Sequence, residues 1–201
     1  MGLTMRLKTM AALALGAVIL AGSVPAMAQS ASTPSFFSFF PRPSNFGNGP
    51  AKGYSSIRRQ VVPYVGKYRP GTIVVNTAER RLYLVQDNGT ALKYGIGVGR
   101  DGFRWGGMKT ITRKAEWPGW TPPAQMLKRR PDLPRYMPGG VDNPLGARAL
   151  YLGSTLYRIH GSNEPDTIGQ AVSSGCFRMT NDDVTDLYDR VRVGTQVVVL
   201  N

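Results

Sequence analysis

"TIVVNTAERRLYLVQDNGTALKYGIGVG", residues 72–99, decides the fold class. "TIVVN" (72–76) and "RRLYLVQ" (80–86) are short runs rich in β-branched and aromatic residues, separated by a polar turn. Such side chains pack well on a pleated, half-buried surface, so both runs read as strands. "DNG" at 87–89 is a hairpin signal, because Asn and Gly accept the positive φ of a tight turn. "ALKYGIGVG" (91–99) is then the returning strand.

The same texture recurs towards the C-terminus. "ALYLG" (149–153), "LYRIHG" (156–161), "GCFRM" (175–179) and "QVVVLN" (196–201) are each strand-like. One helix stands out: Val184, Leu187, Tyr188 and Val191 fall at i, i+3, i+4 and i+7, and Thr180 with Asp183 makes a capping-box-like start. Many strands with few helices predict a mainly β fold, a sandwich or barrel-like class. Between Gly99 and Arg148 lies a long segment without clear period, holding Trp105, Trp117, Trp120 and many prolines. Two compatible readings stay open for it. It is a lid or binding loop over a site, or a core-covering loop with buried tryptophans.

The N-terminal third is different. Residues 1–28 carry Arg6 and Lys8, an apolar stretch to about Ala21, and Ala26-Met27-Ala28, the pattern of a cleaved secretory signal. Export to the periplasm or cell envelope is the expectation. "LAGS" at 20–23 lacks the cysteine of a lipid-anchored leader, and the apolar run is short for a membrane span. Nothing later in the chain is long and apolar enough to span, so no membrane span is expected. Residues 29–67, rich in Ser, Pro, Gly and Asn, read as a mostly disordered linker. Its "FFSFF" run is a solvated tail or a docking element. Residues 68–201 are the expected folded domain.

The chain is basic, with a formal charge of +13. That favours an acidic partner through long-range attraction. Scattered basic residues and the absence of a nucleic-acid motif point to an envelope polymer or surface, with no nucleic acid.

The chain has one cysteine, Cys176 in "SSGCFRM" (173–179), and one histidine, His160 in "RIHG". Exported domains usually use cysteines in pairs, so a lone thiol is free, reactive or intermolecular. One Cys and one His fall short of a zinc ligand set, so neither metal nor cofactor is expected. A thiol attacks as its thiolate, and an imidazole can take the proton. Cys176 follows Gly175 at a loop-to-strand junction, where the N–H groups of Gly175 and Cys176 can face a developing oxyanion. Arg178 shares a strand face with Cys176, two residues on, and can hold a substrate carboxylate. Ser173 and Ser174 donate to substrate or shape the turn. For either Cys176 or His160 taken alone, a structural role is the commoner outcome.

"IHG" at 159–161 followed by "SSGCFRM" at 173–179 resembles the L,D-transpeptidase catalytic domain, YkuD type, in its ErfK-like branch. "NPLGARALYLG" (143–153) and "TIGQAVSSGC" (167–176) are similar to that branch too, and the resemblance covers about residues 71–201. It implies a β-sandwich of mixed sheets with one or two short helices and a long lid loop. It implies peptidoglycan stem peptides as substrate. Cys176 would be the nucleophile, releasing D-Ala and forming a thioester, and His160 the general base and acid. The Gly161 carbonyl would orient the imidazole. Gly175 and Cys176 would form the oxyanion hole, and Arg178 would lie in the donor site. The acyl acceptor would be another stem or an envelope protein or lipoprotein. Many members carry histidine where this chain has Ser174. Two rival functions remain: a carboxypeptidase or amide hydrolase on the same fold, and a non-catalytic wall-binding module.

Overall fold

The computed structural model describes residues 55–201. The expected leader, and the expected linker up to residue 54, lie outside the described residues.

Continuous apolar runs build the centre. β2 (Ile73–Asn76) and β11 (Gln196–Leu200) are parallel neighbours, with Val197 opposite Ile73 and Val199 opposite Val75. Their valines and isoleucine are buried on both faces, which is why neither strand shows a polar alternation. β3 (Arg81–Val85) pairs antiparallel with β2, and β4 (Thr90–Gly95) pairs antiparallel with β3, the two joined by the turn at 87–89.

Gln60–Pro63, inside the segment expected to be linker, forms the edge strand β1 against β4. The correction has a physical reason. An edge strand buries little, so it prints no apolar alternation, and Pro63 is tolerated because an edge has free N–H positions to lose.

The segment 99–148 also departs from expectation, because it contains the longest strand. β5 (Val98–Gly99) is followed by β6 (Gly107–Glu116), whose first half pairs with β11 and whose second half pairs with β7 (Arg148–Leu152). The register shifts between Ile111 and Arg113, a bulge that bends β6 and lets one strand serve both halves of the sheet. Beyond β7 come β8 (Arg158–His160), the short β9 (Ala171–Ser173) and β10 (Phe177–Arg178). The main sheet runs β1-β4-β3-β2-β11-β6-β7-β8-β10, and β5 pairs separately with β9. Both halves feed one core, in which Leu82, Ile96, Leu150, Ile159 and Phe177 are essentially inaccessible.

Two α-helices and a 3-10 turn (Pro165–Thr167) complete the described residues. α1 (Ala124–Arg129) is a short turn in the long connection. α2 (Asn181–Arg190) starts where Thr180 Oγ1 accepts from the Asp183 N–H at 3.1 Å, satisfying an orphan donor of the first turn. Val184, Leu187 and the following Val191 enter the core. Lys114 of β6 donates from Nζ to the Tyr188 and Val191 carbonyls, at 2.6 and 2.7 Å, and so caps the other end. The helix is thereby pinned across β6 and β7.

Candidate active site

The parallel pair β8–β10 sets the site. Ile159 lies opposite Phe177, and His160 opposite Arg178. Ile159 and Phe177 point into the core. By alternation Arg158, His160 and Arg178 occupy the opposite face. Cys176, one residue before β10, comes level with Arg158. All four line a cleft of about 370 Å³.

His160 is buried, and its Nδ1 lies 2.6 Å from the Gly161 carbonyl oxygen. A carbonyl can only accept, so Nδ1 carries the proton and Nε2 is left as an acceptor. Burial lowers the imidazole pKa from 6.5 to about 3, helped by the positive charges of Arg178 and Arg158. The imidazole is therefore neutral across the physiological range. Gly161 is glycine for want of room: a Cβ there would collide with Asn181 Oδ1 and lie 3.0 Å from the Ala147 N. Asn181 Oδ1 is itself the acceptor of the Ala147 N–H at 2.9 Å.

Cys176 is a half-buried free thiol. Its Sγ donates to the Leu156 carbonyl at 3.7 Å. Burial raises the thiol pKa, against the opposing pull of Arg158 and Arg178. At rest the cleft holds a neutral thiol and a neutral imidazole.

The loop before the thiol is clamped from both sides. Ser173 Oγ donates to the Cys176 carbonyl at 2.6 Å and accepts from the Gly175 N–H at 3.1 Å. Trp105 Nε1 donates to the Gly175 carbonyl at 2.7 Å, and the indole stacks on Tyr157 with ring centroids 4.5 Å apart. Gly175 has φ +107°, and a Cβ there would lie 2.6 Å from the Tyr157 ring, so only glycine fits.

These bonds bear on three expectations. The Gly175 N–H is engaged by Ser173, so it is not an open oxyanion donor. The Cys176 N–H has no partner among the described residues and remains open. Ser173 is buried and its hydroxyl is spent on the turn, the second of its two expected roles, and both it and Ser174 line the cleft. Arg178 is on the cleft wall, but its guanidinium pairs with Glu164 at 3.1 Å and reaches Thr167 Oγ1 at 3.4 Å. A buried cation needs such compensation, and Glu164 supplies it from a loop the strand pattern could not place.

Arg158, Arg129 and the Trp105–Tyr157 stack were not anticipated. Arg158 was findable by the same i, i+2 rule that singled out Arg178, applied backwards from His160. The cleft is lined by these three arginines, Arg129, Arg158 and Arg178, and by no carboxylate. Its other wall comes from the connection after β6. There Trp120 and Met137 exchange backbone bonds at 2.8 Å, and Trp120, Leu133 and Leu145 form a separate apolar cluster. The buried Asn143 ties this wall together, donating to the Met137 and Pro138 carbonyls and accepting from the Leu145 N–H. Chemically the arrangement offers a free thiol, an oriented neutral imidazole, one open N–H donor and a positive field.

Residues 70–199 match the family model of the L,D-transpeptidase catalytic domain. The chain is similar to the probable L,D-transpeptidase ErfK/SrfK of Escherichia coli K12. The two are 44% identical over 138 residues, 64% of this chain and 44% of that protein. The chain thus spans less than half the length of that relative. A crystal structure from Brucella melitensis, described as a probable carnitine operon oxidoreductase, is 50% identical. It covers 72% of this chain and 94% of its own, with a TM-score of 0.50. An L,D-transpeptidase from Mycobacterium smegmatis, 18% identical over 65% of this chain and 58% of its own, gives a TM-score of 0.53, a likeness of fold alone.

Proposed function

The chain belongs to the L,D-transpeptidase catalytic domain family, and from that premise we propose that it is an exported cysteine acyltransferase acting on the tetrapeptide stems of peptidoglycan. The observation that carries this reading is the β8–β10 register. It sets a thiol and an imidazole with its Nδ1 proton already committed on one face of one cleft.

In the proposed reaction His160 Nε2 takes the thiol proton as Cys176 Sγ bonds to the carbonyl carbon of the third stem residue. The oxygen becomes negative and receives the open Cys176 N–H. Collapse breaks the C–N bond to D-Ala, whose nitrogen takes the proton back from His160, and a thioester remains. An acceptor amine then attacks the thioester carbon and its proton passes to His160. The C–S bond breaks, and the sulfur regains the proton. The acceptor is the side amine of another stem or an amine of an envelope protein or lipoprotein.

Transfer is favoured over hydrolysis by the apolar wall of Trp120, Pro123, Met126 and Leu145, which limits water at the thioester. The three arginines suit a substrate carrying carboxylates. Action in the periplasm or cell envelope follows from the leader read in residues 1–28. No helix among the described residues is long and apolar enough to cross a membrane.

Intact-mass spectrometry after incubation with a disaccharide-tetrapeptide tests the reading. The expected result is an adduct equal to donor minus D-Ala, lost in Cys176→Ala with the fold retained. Full turnover by Cys176→Ala would overturn it. Product masses with and without an added amine separate transfer from hydrolysis.

A further inference from the structure

The three cleft arginines are not equivalent. Arg178 is compensated by Glu164. Arg129 lies over the Phe103 ring, 5.4 Å from its centroid, at the mouth of the cleft. Arg158 sits level with the thiol, and no carboxylate lies within ion-pair distance of it among the described residues. Its Nη1 donates to the Leu156 carbonyl at 3.1 Å, the same oxygen that Cys176 Sγ faces at 3.7 Å. Guanidinium and sulfur therefore meet on one atom. Its Nε is buried and has no hydrogen-bond partner among the described residues. A buried donor left unsatisfied is costly, and this side chain also acts directly on the Cys176 thiol, through its charge and a hydrogen bond that both favour the thiolate. The Tyr151 ring lies beneath the guanidinium, 5.2 Å from centroid to Cζ, and holds it without neutralising it.

We propose that Arg158 is a further catalytic residue, which stabilises the negative charge on Cys176 Sγ and draws carboxylate-bearing electrophiles to it. This rests on the reading of Cys176 as nucleophile. The positive charge acts in one direction on the thiol: it favours the thiolate, and it favours any anion brought next to the reacting carbon. The other charged or titratable groups lining the cleft are His160, Tyr157, Arg178 and Arg129, so no fixed negative charge in the lining offsets Arg158.

The test is the alkylation rate of Cys176 in the full chain by iodoacetate and by iodoacetamide, from about pH 6 to 10, in wild type, Arg158→Gln and Arg158→Lys. The two reagents differ in charge at the same reacting carbon. With Arg158→Gln the thiolate midpoint should rise by about one unit, slowing both reagents about tenfold at neutral pH. The iodoacetate-to-iodoacetamide ratio should fall severalfold more. Arg158→Lys, which keeps the charge, should recover much of the ratio. In wild type the ratio should decline as salt is raised from about 20 to about 500 mM. A midpoint and ratio unchanged in Arg158→Gln overturn the proposal and leave Cys176 standing as nucleophile. If Arg158→Gln does not fold, a salt-insensitive ratio in wild type, or its complete loss in Arg158→Lys, overturns the proposal. A wild-type thiol inert to both reagents overturns this proposal and the nucleophile reading together.

Discussion

The buried neutral state of His160 makes folding stability pH-dependent in a defined direction. Its pKa is about 3 in the folded chain and 6.5 when unperturbed. Between these values the unfolded chain holds a proton on this ring that the native chain refuses. Stability from this group is complete above pH 6.5 and is lost as the pH falls towards 3, at about 1.4 kcal/mol per pH unit. By pH 4.5 the loss is roughly 2–3 kcal/mol, a large share of the roughly 5–15 kcal/mol that holds a typical domain. Carboxylates titrate in the same window, so the measurement is a difference. Urea unfolding of wild type and His160→Gln is followed at pH 7, 6, 5 and 4.5. Glutamine keeps an amide donor for the Gly161 carbonyl and has no proton to gain. The two stability curves should converge as the pH falls, wild type losing its 2–3 kcal/mol relative to the variant. Curves that stay parallel would show that water in the cleft hydrates the ring and that it titrates near its ordinary value. The neutral-base argument would then fail.

Two further predictions address the supports of the pair. Gly161→Ala drives a Cβ into Asn181 Oδ1, so it should destabilise the domain by about 1–3 kcal/mol. It should also shift the carbonyl that holds Nδ1, lowering the acylation rate at least tenfold; a normal rate in the folded variant would refute that role. Trp105→Phe keeps an aromatic face for Tyr157 but deletes the bond to the Gly175 carbonyl. Melting should report a loss of about 1 kcal/mol, and thioester formation should slow severalfold while iodoacetamide labelling of Cys176 changes little. Equal slowing of both would instead mean a thiol displaced outright.

Some elements were legible because their residues reported their own environment. β2 and β11 are buried on both faces, and their valine runs say so. α2 announces itself through Val184, Leu187 and Val191 at helical spacing and through the Thr180 cap. β6 is the opposite case. Only Ile111 in it is buried, and the strand is held by backbone pairing to β11 and β7, which no local pattern encodes. In the site, Cys176 and His160 were conspicuous because each is alone of its kind. Their common face follows from a parallel register that sequence could only suppose. The pairing of Arg178 with Glu164 was hidden, since the carboxylate comes from an irregular turn after β8. The engagement of the Gly175 N–H by Ser173 was hidden for the same reason: hydrogen-bond partners inside a tight loop depend on its dihedrals.

The arginines that shape the cleft act oppositely on the two members of the pair. Arg158 and Arg178 favour a negative sulfur, and both disfavour a positive imidazole. A resting thiolate–imidazolium pair is therefore not the state this field selects. The proton stays on sulfur until an electrophile is present, which keeps the idle thiol weakly nucleophilic towards chance oxidants and electrophiles. Once His160 has taken the proton in the proposed reaction, it is an unusually strong acid, because burial and the arginines oppose its charge. In the proposed reaction the next acceptor is the leaving amine, and a strong acid drives that transfer well. The imidazole is thus a reluctant base and a ready acid. In the proposed reaction the compensating help for the first step comes from groups that favour negative charge on the sulfur, and Arg158 is such a cation, with no carboxylate in ion-pair distance among the described residues.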